Sequence, residues 1–222
     1  MVRVAVFGGS KGCSRAMVLQ GLEQGEHQFK LLIRNPDNAD YTQDQKSKLS
    51  IVKGDALDAE AVKKTLQDTD VIVYSIGSAF DFKKMDMVNP GLCHDTMSVL
   101  LRALQDLPVN ERPKRLVVVS TTGLDNMKEV PYLFQPLYHF ILHAPHKDKK
   151  EMEKLVVEEN TSVPDWIIVR PSLLTDGSLK GKYRADVGIS GYTISREDVG
   201  HFLLHQCIVS TTWVQKKVVV TY

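Results

Sequence analysis

The residues of this chain that could do chemistry begin at its first turn. Val2-Arg3-Val4-Ala5-Val6-Phe7 is an apolar, β-branched run, Gly8-Gly9-Ser10-Lys11-Gly12-Cys13-Ser14 follows it, and a helix-like pattern starts at once. That order is what a dinucleotide phosphate site needs. The strand fixes the turn, the glycines let backbone approach a pyrophosphate, and the helix N-terminus supplies free N–H groups and a positive dipole end. The spacing is Gly-x-x-x-Gly-x-Ser rather than Gly-x-Gly-x-x-Gly, and no Gly-Lys-Ser/Thr closes the turn, so it is not a P-loop. A bare strand–helix corner could use the same glycines. The ordered pattern that follows favours a bound cofactor.

Two cations discriminate between cofactors. Lys11 sits inside the turn, and Arg34 follows the second apolar run at once. An NAD-selective site usually places an acid there, on the ribose 2′-hydroxyl. An acid would repel a 2′-phosphate, whereas Arg can bind it in a bidentate manner. Either cation alone could be a solvated surface charge; both at adenosine-ribose positions favour NADP(H). Ile76-Gly77-Ser78 ends the fourth apolar run, where glycine lets the chain pass close under a cofactor, although Gly-Ser is also a plain turn signal. The Cys13 thiol, close to a helix N-terminus, is expected to have a lowered pKa.

These residues need a scaffold of alternating strands and helices. Strands are expected at 2–7, 29–33, 50–53, 70–76, 115–121, 165–170 and 216–221. Helices are expected at 13–24, 59–67, 89–106, 147–160 and 196–208. Val71-Ile72-Val73-Tyr74 and Leu116-Val117-Val118-Val119 are continuously apolar, as in strands covered on both faces. Asp58 and Ser195 are N-cap candidates. β/α alternation from the first residue implies an α/β fold, a Rossmann-like doubly wound parallel sheet in one NAD(P)-binding domain spanning 1–222. Residues 122–146 and 172–193 have no clean period and are the expected walls of a substrate pocket.

Composition narrows the class further. The 222 residues carry 28 Lys and Arg against 27 Asp and Glu, so net charge gives no case for nucleic-acid binding. Cys13, Cys93 and Cys207 are scattered, without metal-ligand spacing, which fits a reducing compartment and no metal site. No stretch approaches the roughly 20 apolar residues of a membrane span, and the cytoplasm is the expected location.

Gly-Gly-Ser-Lys-Gly-Cys-Ser-Arg-Ala (8–16) resembles the cofactor turn of the short-chain dehydrogenase/reductase superfamily, with Ser14 where a third glycine is usual. Leu-Ile-Arg-Asn-Pro (32–36), Gly-Asp-Ala-Leu-Asp (54–58), Val-Val-Val-Ser-Thr-Thr-Gly (117–123), Asp-Trp-Ile-Ile-Val-Arg-Pro (165–171) and Ile-Ser-Arg-Glu-Asp-Val-Gly (194–200) are similar to its atypical branch, NmrA-like and biliverdin reductase B-like. The resemblance spans nearly the whole chain. It implies that Asp55, with Ala56, meets the adenine, although Asp55 could instead be a turn residue. It places Ser120 and Thr122 where the superfamily keeps a catalytic hydroxyl, and Pro171 beside the cofactor. Lys149 matches the lysine that holds the nicotinamide ribose and assists catalysis. In Tyr-dependent members a tyrosine precedes that lysine by four residues; here Pro145 stands there, and a proline cannot deliver a proton. Tyr132, Tyr138, His139, His143 and His146 are candidate replacements, and Tyr132, Phe134, Tyr138 and Phe140 candidate stacking groups.

The expected function is an NADPH-dependent reductase passing hydride to a planar aromatic acceptor such as a flavin, quinone or tetrapyrrole, which tolerates protonation by water. The alternative is a non-catalytic NADP(H)-binding regulator or scaffold, as the NmrA-like resemblance allows. The partner is then a small aromatic molecule, not nucleic acid or membrane.

Overall fold

The apolar runs and helical patterns alternate in space as they do in sequence. The computed structural model describes residues 1–81, 86–136 and 143–222. The chain runs through β1 (Val2–Phe7), α1 (Gly12–Gln24), β2 (His27–Ile33), α2 (Gln43–Ser47), β3 (Ser50–Lys53), α3 (Ala59–Leu66) and β4 (Val71–Tyr74). Two short strands follow, β5 (Phe80–Asp81) and β6 (Asp86–Met87), then α4 (Leu92–Asp106), β7 (Arg115–Val119), α5 (His143–Lys154) and β8 (Asp165–Pro171). The last elements are β9 (Leu173–Thr175), β10 (Arg184–Asp186), β11 (Thr193–Ser195), α6 (Arg196–Phe202) and β12 (Lys216–Thr221).

The main sheet has the order β10-β12-β8-β7-β4-β1-β2-β3, and only the β10–β12 pair is antiparallel. From β1 the chain moves outward through β2 and β3, then returns to β4 on the other side of β1 and continues outward through β7 and β8. The order therefore reverses between β1 and β4. Connections leaving these two strands diverge, which opens a crevice beyond their carboxyl ends.

Continuous apolarity of the strands has the expected cause. Val4, Val6, Val117, Val119, Ile167 and Val169 pack on one face with Met17 of α1 and Phe202 of α6. Ala5, Phe7, Leu116, Val118 and Ile168 pack on the other with Val62, Leu100 and Met152 of α3, α4 and α5. Each strand alternates between two cores, so its central positions are apolar on both faces.

The anticipated caps form. Asp58 accepts from the Glu60 N–H at 3.0 Å, and Ser195 accepts from the Asp198 N–H at 3.0 Å. Three features depart from the sequence reading. α5 starts at His143 rather than 147, so Pro145 lies in its first turn, where a missing N–H removes no intrahelical bond. α2 was not expected, although Thr42 and Gln45 form a complete capping box there. Residues 172–193 are not wholly irregular: β9 pairs with β11, and β10 adds to the sheet edge.

Candidate functional site

A cleft of about 600 Å³ opens at the carboxyl ends of β1, β2, β3, β4 and β7. Its floor is the glycine turn. Gly8 has φ +89°, and a Cβ there would lie 2.6 Å from the Ser75 carbonyl oxygen at the end of β4. The turn is thus pressed onto the neighbouring strand and only glycine fits. Gly12 differs: at φ +71° it has nothing within 4 Å of a Cβ position, so its missing side chain leaves open space. Lys11, the residue before α1, is extended and makes no side-chain cap. α1 also has no acid in its first turn. Among the described residues its N-cap side chain and first turn offer the first N–H groups no acceptor, which is the electrostatic condition for an incoming anion.

The other turn residues divide between lining and support. Ser10, Lys11, Gly12 and Cys13 line the cleft. Gly9 and Ser14 do not. A Cβ on Gly9 would meet Val6 and Leu31, and its carbonyl accepts from the Tyr41 hydroxyl at 2.5 Å. Ser14 is fully buried. The expectation for the Cys13 thiol is corrected: burial pushes it up to about 12, against the opposing charge of Arg196. It is a packing residue, and iodoacetamide at about pH 8 should label native protein far more slowly than unfolded protein. Equal rates would show the thiol exposed and ionised.

At one end of the cleft stand Arg34, Asp55 and Ala56. The Arg34 guanidinium is 71% exposed and lies 3.9 Å from the Asp55 carboxylate, a loose pair in solvent. The other Asp55 oxygen accepts from the Leu57 N–H at 2.9 Å, so Asp55 closes the local turn and still faces the cleft. Ile76, Gly77 and Ser78 form the adjoining wall, and Gly77 again leaves the space of a Cβ open.

At the other end, Lys149 donates to the Ile76 and Val119 carbonyls, both at 2.9 Å. It ties the ends of β4 and β7 together. Its neighbour Asp148 accepts from the Cys93 N–H at 3.0 Å and the His94 N–H at 2.9 Å, which locks α5 to the start of α4. Ser120 lines the cleft beside Val119 and Lys149, and its Oγ is buried without a hydrogen-bond partner among the described residues. A buried hydroxyl in that condition needs a partner. Thr122 and Pro171 do not line the cleft: Thr122 is buried behind it, with its N–H on the Pro171 carbonyl at 3.3 Å.

Sequence reasoning missed several lining residues. Leu92 and Thr96 come from α4, and Leu174, Asp176 and Arg196 come from the segment after β8. Arg196 was legible only as a residue after an N-cap. Of the expected aromatic wall, Tyr132 and Phe134 are among the described residues. Tyr132 is exposed, and Phe134 packs edge-on against Tyr192 at 5.2 Å; neither lines the cleft. Tyr138, His139 and Phe140 lie outside the described residues, and His146 does not line the cleft.

Behind the cleft lies a buried charge cluster. Arg170 donates to Glu153 at 3.0 and 2.5 Å, to Glu129 at 3.1 Å and to Asp125 at 2.5 Å. Lys217 adds contacts to Asp125 and Glu153. Among the described residues no group of His, Cys, Asp and Glu could hold a metal, and no helix is long and apolar enough to cross a membrane.

A glycine turn pressed on the switch-point strand, an uncapped helix start and a long cleft across the sheet together describe a dinucleotide site. Residues 8–208 match the model of the NAD(P)H-binding family. The chain belongs to that family. It is similar to the reductase pytE of Aspergillus terreus, 33% identical over 257 aligned positions that cover 99% of this chain and 97% of that protein. It is also similar to the oxidase pynE of Aspergillus niger, 32% identical, with 98% of each chain covered. Its fold is that of a short-chain dehydrogenase/reductase from Veillonella parvula solved with NADP, at TM-score 0.75 and 14% identity, covering 100% of this chain and 94% of that one.

Proposed function

We propose that this NAD(P)H-binding protein is an NADPH-dependent reductase of the atypical short-chain type, acting on a planar aromatic acceptor. The observation that carries it is the pair at the inner end of the cleft: the Lys149 ammonium held on two strand-end carbonyls, beside a Ser120 hydroxyl that has no partner among the described residues. The names of the two fungal relatives, a reductase and an oxidase, support redox chemistry.

The cofactor fits the residues present. The open space at Gly12 and Gly77 would admit a pyrophosphate and a ribose, and the α1 N–H groups would meet the phosphate charge. Arg34 and Lys11 would take the 2′-phosphate, and Asp55 with Ala56 the adenine. Lys149 would donate its third proton to the nicotinamide ribose, and Ser120 would donate to the carboxamide or to the acceptor. Bound NADPH supplies a hydride from nicotinamide C4.

No tyrosine occupies the position four residues before Lys149; Pro145 is there, in the first turn of α5. A developing alkoxide would find no acid at the position that Tyr-dependent members use. Flavins, quinones and tetrapyrroles delocalise the added electrons and take their proton from water. NADPH oxidation should therefore be measurable with such acceptors and weak with aliphatic ketones. Tight NADPH binding with no turnover on any of them would replace this reading with that of a cofactor-binding regulator.

Cofactor preference is the second test. Charge-assisted hydrogen bonds contribute roughly 1.5–3 kcal/mol each, and two make a preference for NADPH over NADH of about 100-fold. Arg34→Ala should weaken NADPH by about 10-fold and leave NADH unchanged. Equal wild-type affinities, or an unchanged NADPH constant in the variant, would overturn the assignment of the 2′-phosphate.

A further inference from the structure

We infer that Arg196 is a pyrophosphate ligand held in reserve by Asp176, an inference that rests on the dinucleotide reading above. Three observations place it. Arg196 and Asp176 both line the cleft, as do Gly12 and Cys13 of α1. α6 lies against α1 in parallel: a Cβ on Gly200 would be 2.7 Å from the Met17 nitrogen, and one turn later a Cβ on Gly21 would be 3.3 Å from Leu204. Counting one turn back from Gly200 brings Arg196 level with Gly12 and Cys13, where the phosphates would sit. Arg196 is accordingly the charge that acts most strongly on the Cys13 thiol, ahead of Lys149.

The present partner of Arg196 is replaceable. Its Nη1 lies 2.6 Å from an Asp176 oxygen, but the Asp176 side chain is 90% exposed and the arginine 35%. Such a pair contributes little in water. The Asp176 contact is made through Nη1; a pyrophosphate inside the cleft can offer two oxygens to the guanidinium, with less solvent around them. Dinucleotide binding would then exchange Asp176 for phosphate. Asp176 follows β9 directly, so the exchange would also release one anchor of the segment from 176 onward.

Binding alone tests this, by titrating NADPH and NADH into wild type, Arg196→Gln and Asp176→Asn. Both dinucleotides carry the pyrophosphate, so Arg196→Gln should weaken both by about tenfold and leave their ratio unchanged. Asp176→Asn frees the guanidinium and should tighten both by about two- to fivefold. Adenosine 2′-monophosphate lacks the pyrophosphate and should bind all three proteins equally. Unchanged dinucleotide constants in Arg196→Gln overturn the inference, as does a loss confined to one of the two dinucleotides. If Arg196→Gln does not fold, Asp176→Asn decides alone, and no tightening overturns it. Wild-type protein that binds neither dinucleotide would instead sink the cofactor reading itself.

Discussion

Gly12→Val abolishes dinucleotide binding while the protein stays folded. The expected rise in the NADPH dissociation constant exceeds about 100-fold, because the new side chain fills the space facing the first N–H groups of α1 and blocks several charge-assisted bonds at once. The fold should persist because a Cβ at this position meets no atom within 4 Å. The cost to stability is backbone strain alone, roughly 1–3 kcal/mol for a side chain at φ +71°. Gly8→Ala makes the contrast. There a Cβ would stand 2.6 Å from the Ser75 carbonyl oxygen, so that variant should lose stability first and binding as a consequence. Thermal unfolding and NADPH titration of both variants separate the two glycines. A Gly12→Val protein that binds NADPH normally would place the phosphates elsewhere.

The two glycines also show how far the sequence reaches. The turn, its place after β1 and the reversal of strand order were all legible, because a β-branched run, glycines and a helical pattern in succession have few other solutions. β1, β3 and β12 have the expected boundaries; Gly8-Gly9 stops the first of these apolar runs and Gly54 the second. Which glycine supports and which one lines the cleft was not legible. That depends on Ser75 and Leu31, which lie far along the chain from the turn. Cys13 failed for the same reason: a helix start predicts a low thiol pKa, but α1 is covered by α6, and burial outweighs the dipole. Arg196 and Asp176 join the cleft through the packing of α6 on α1, and no motif announces that packing. Both hydroxyls lie beyond the end of β7, where Ser120 lines the cleft and Thr122 is held on the Pro171 carbonyl, so a hydroxyl cluster in sequence became one lining residue and one buried one.

Arg170→Met should destabilise the protein strongly. The guanidinium is 2% exposed and is bound by Glu153, also 2% exposed, by Glu129 at 6% and by the half-exposed Asp125. Burial alone would push the Arg170 pKa down, but its bonds to Glu153, Asp125 and Glu129 raise it instead, so it stays charged. Removing it leaves two carboxylates in the interior with only Lys217, 3.2 Å from Glu153, to oppose them. Breaking such a pair costs about 3–5 kcal/mol, mostly as the penalty on the abandoned charge. The pH dependence gives the cause. Buried carboxylates that outnumber their cations favour the protonated form, so the stability lost in the variant returns as pH falls. The difference from wild type should be largest near about pH 7 and shrink toward about pH 4. Wild type carries the opposite sign at Asp125: partial burial pushes this carboxyl up, but hydrogen bonds from Lys217 and Arg170 hold it at about 2. That contribution is present above the ordinary aspartate value of about 3.9 and is lost as pH falls from there toward about 2. Urea unfolding of both proteins across this range, with Arg170→Met/Glu153→Leu as the third, tests the account. The double variant removes one stranded charge and should recover part of the loss. A penalty independent of pH, or no recovery in the double variant, would mean that the arginine acts by packing and not by charge.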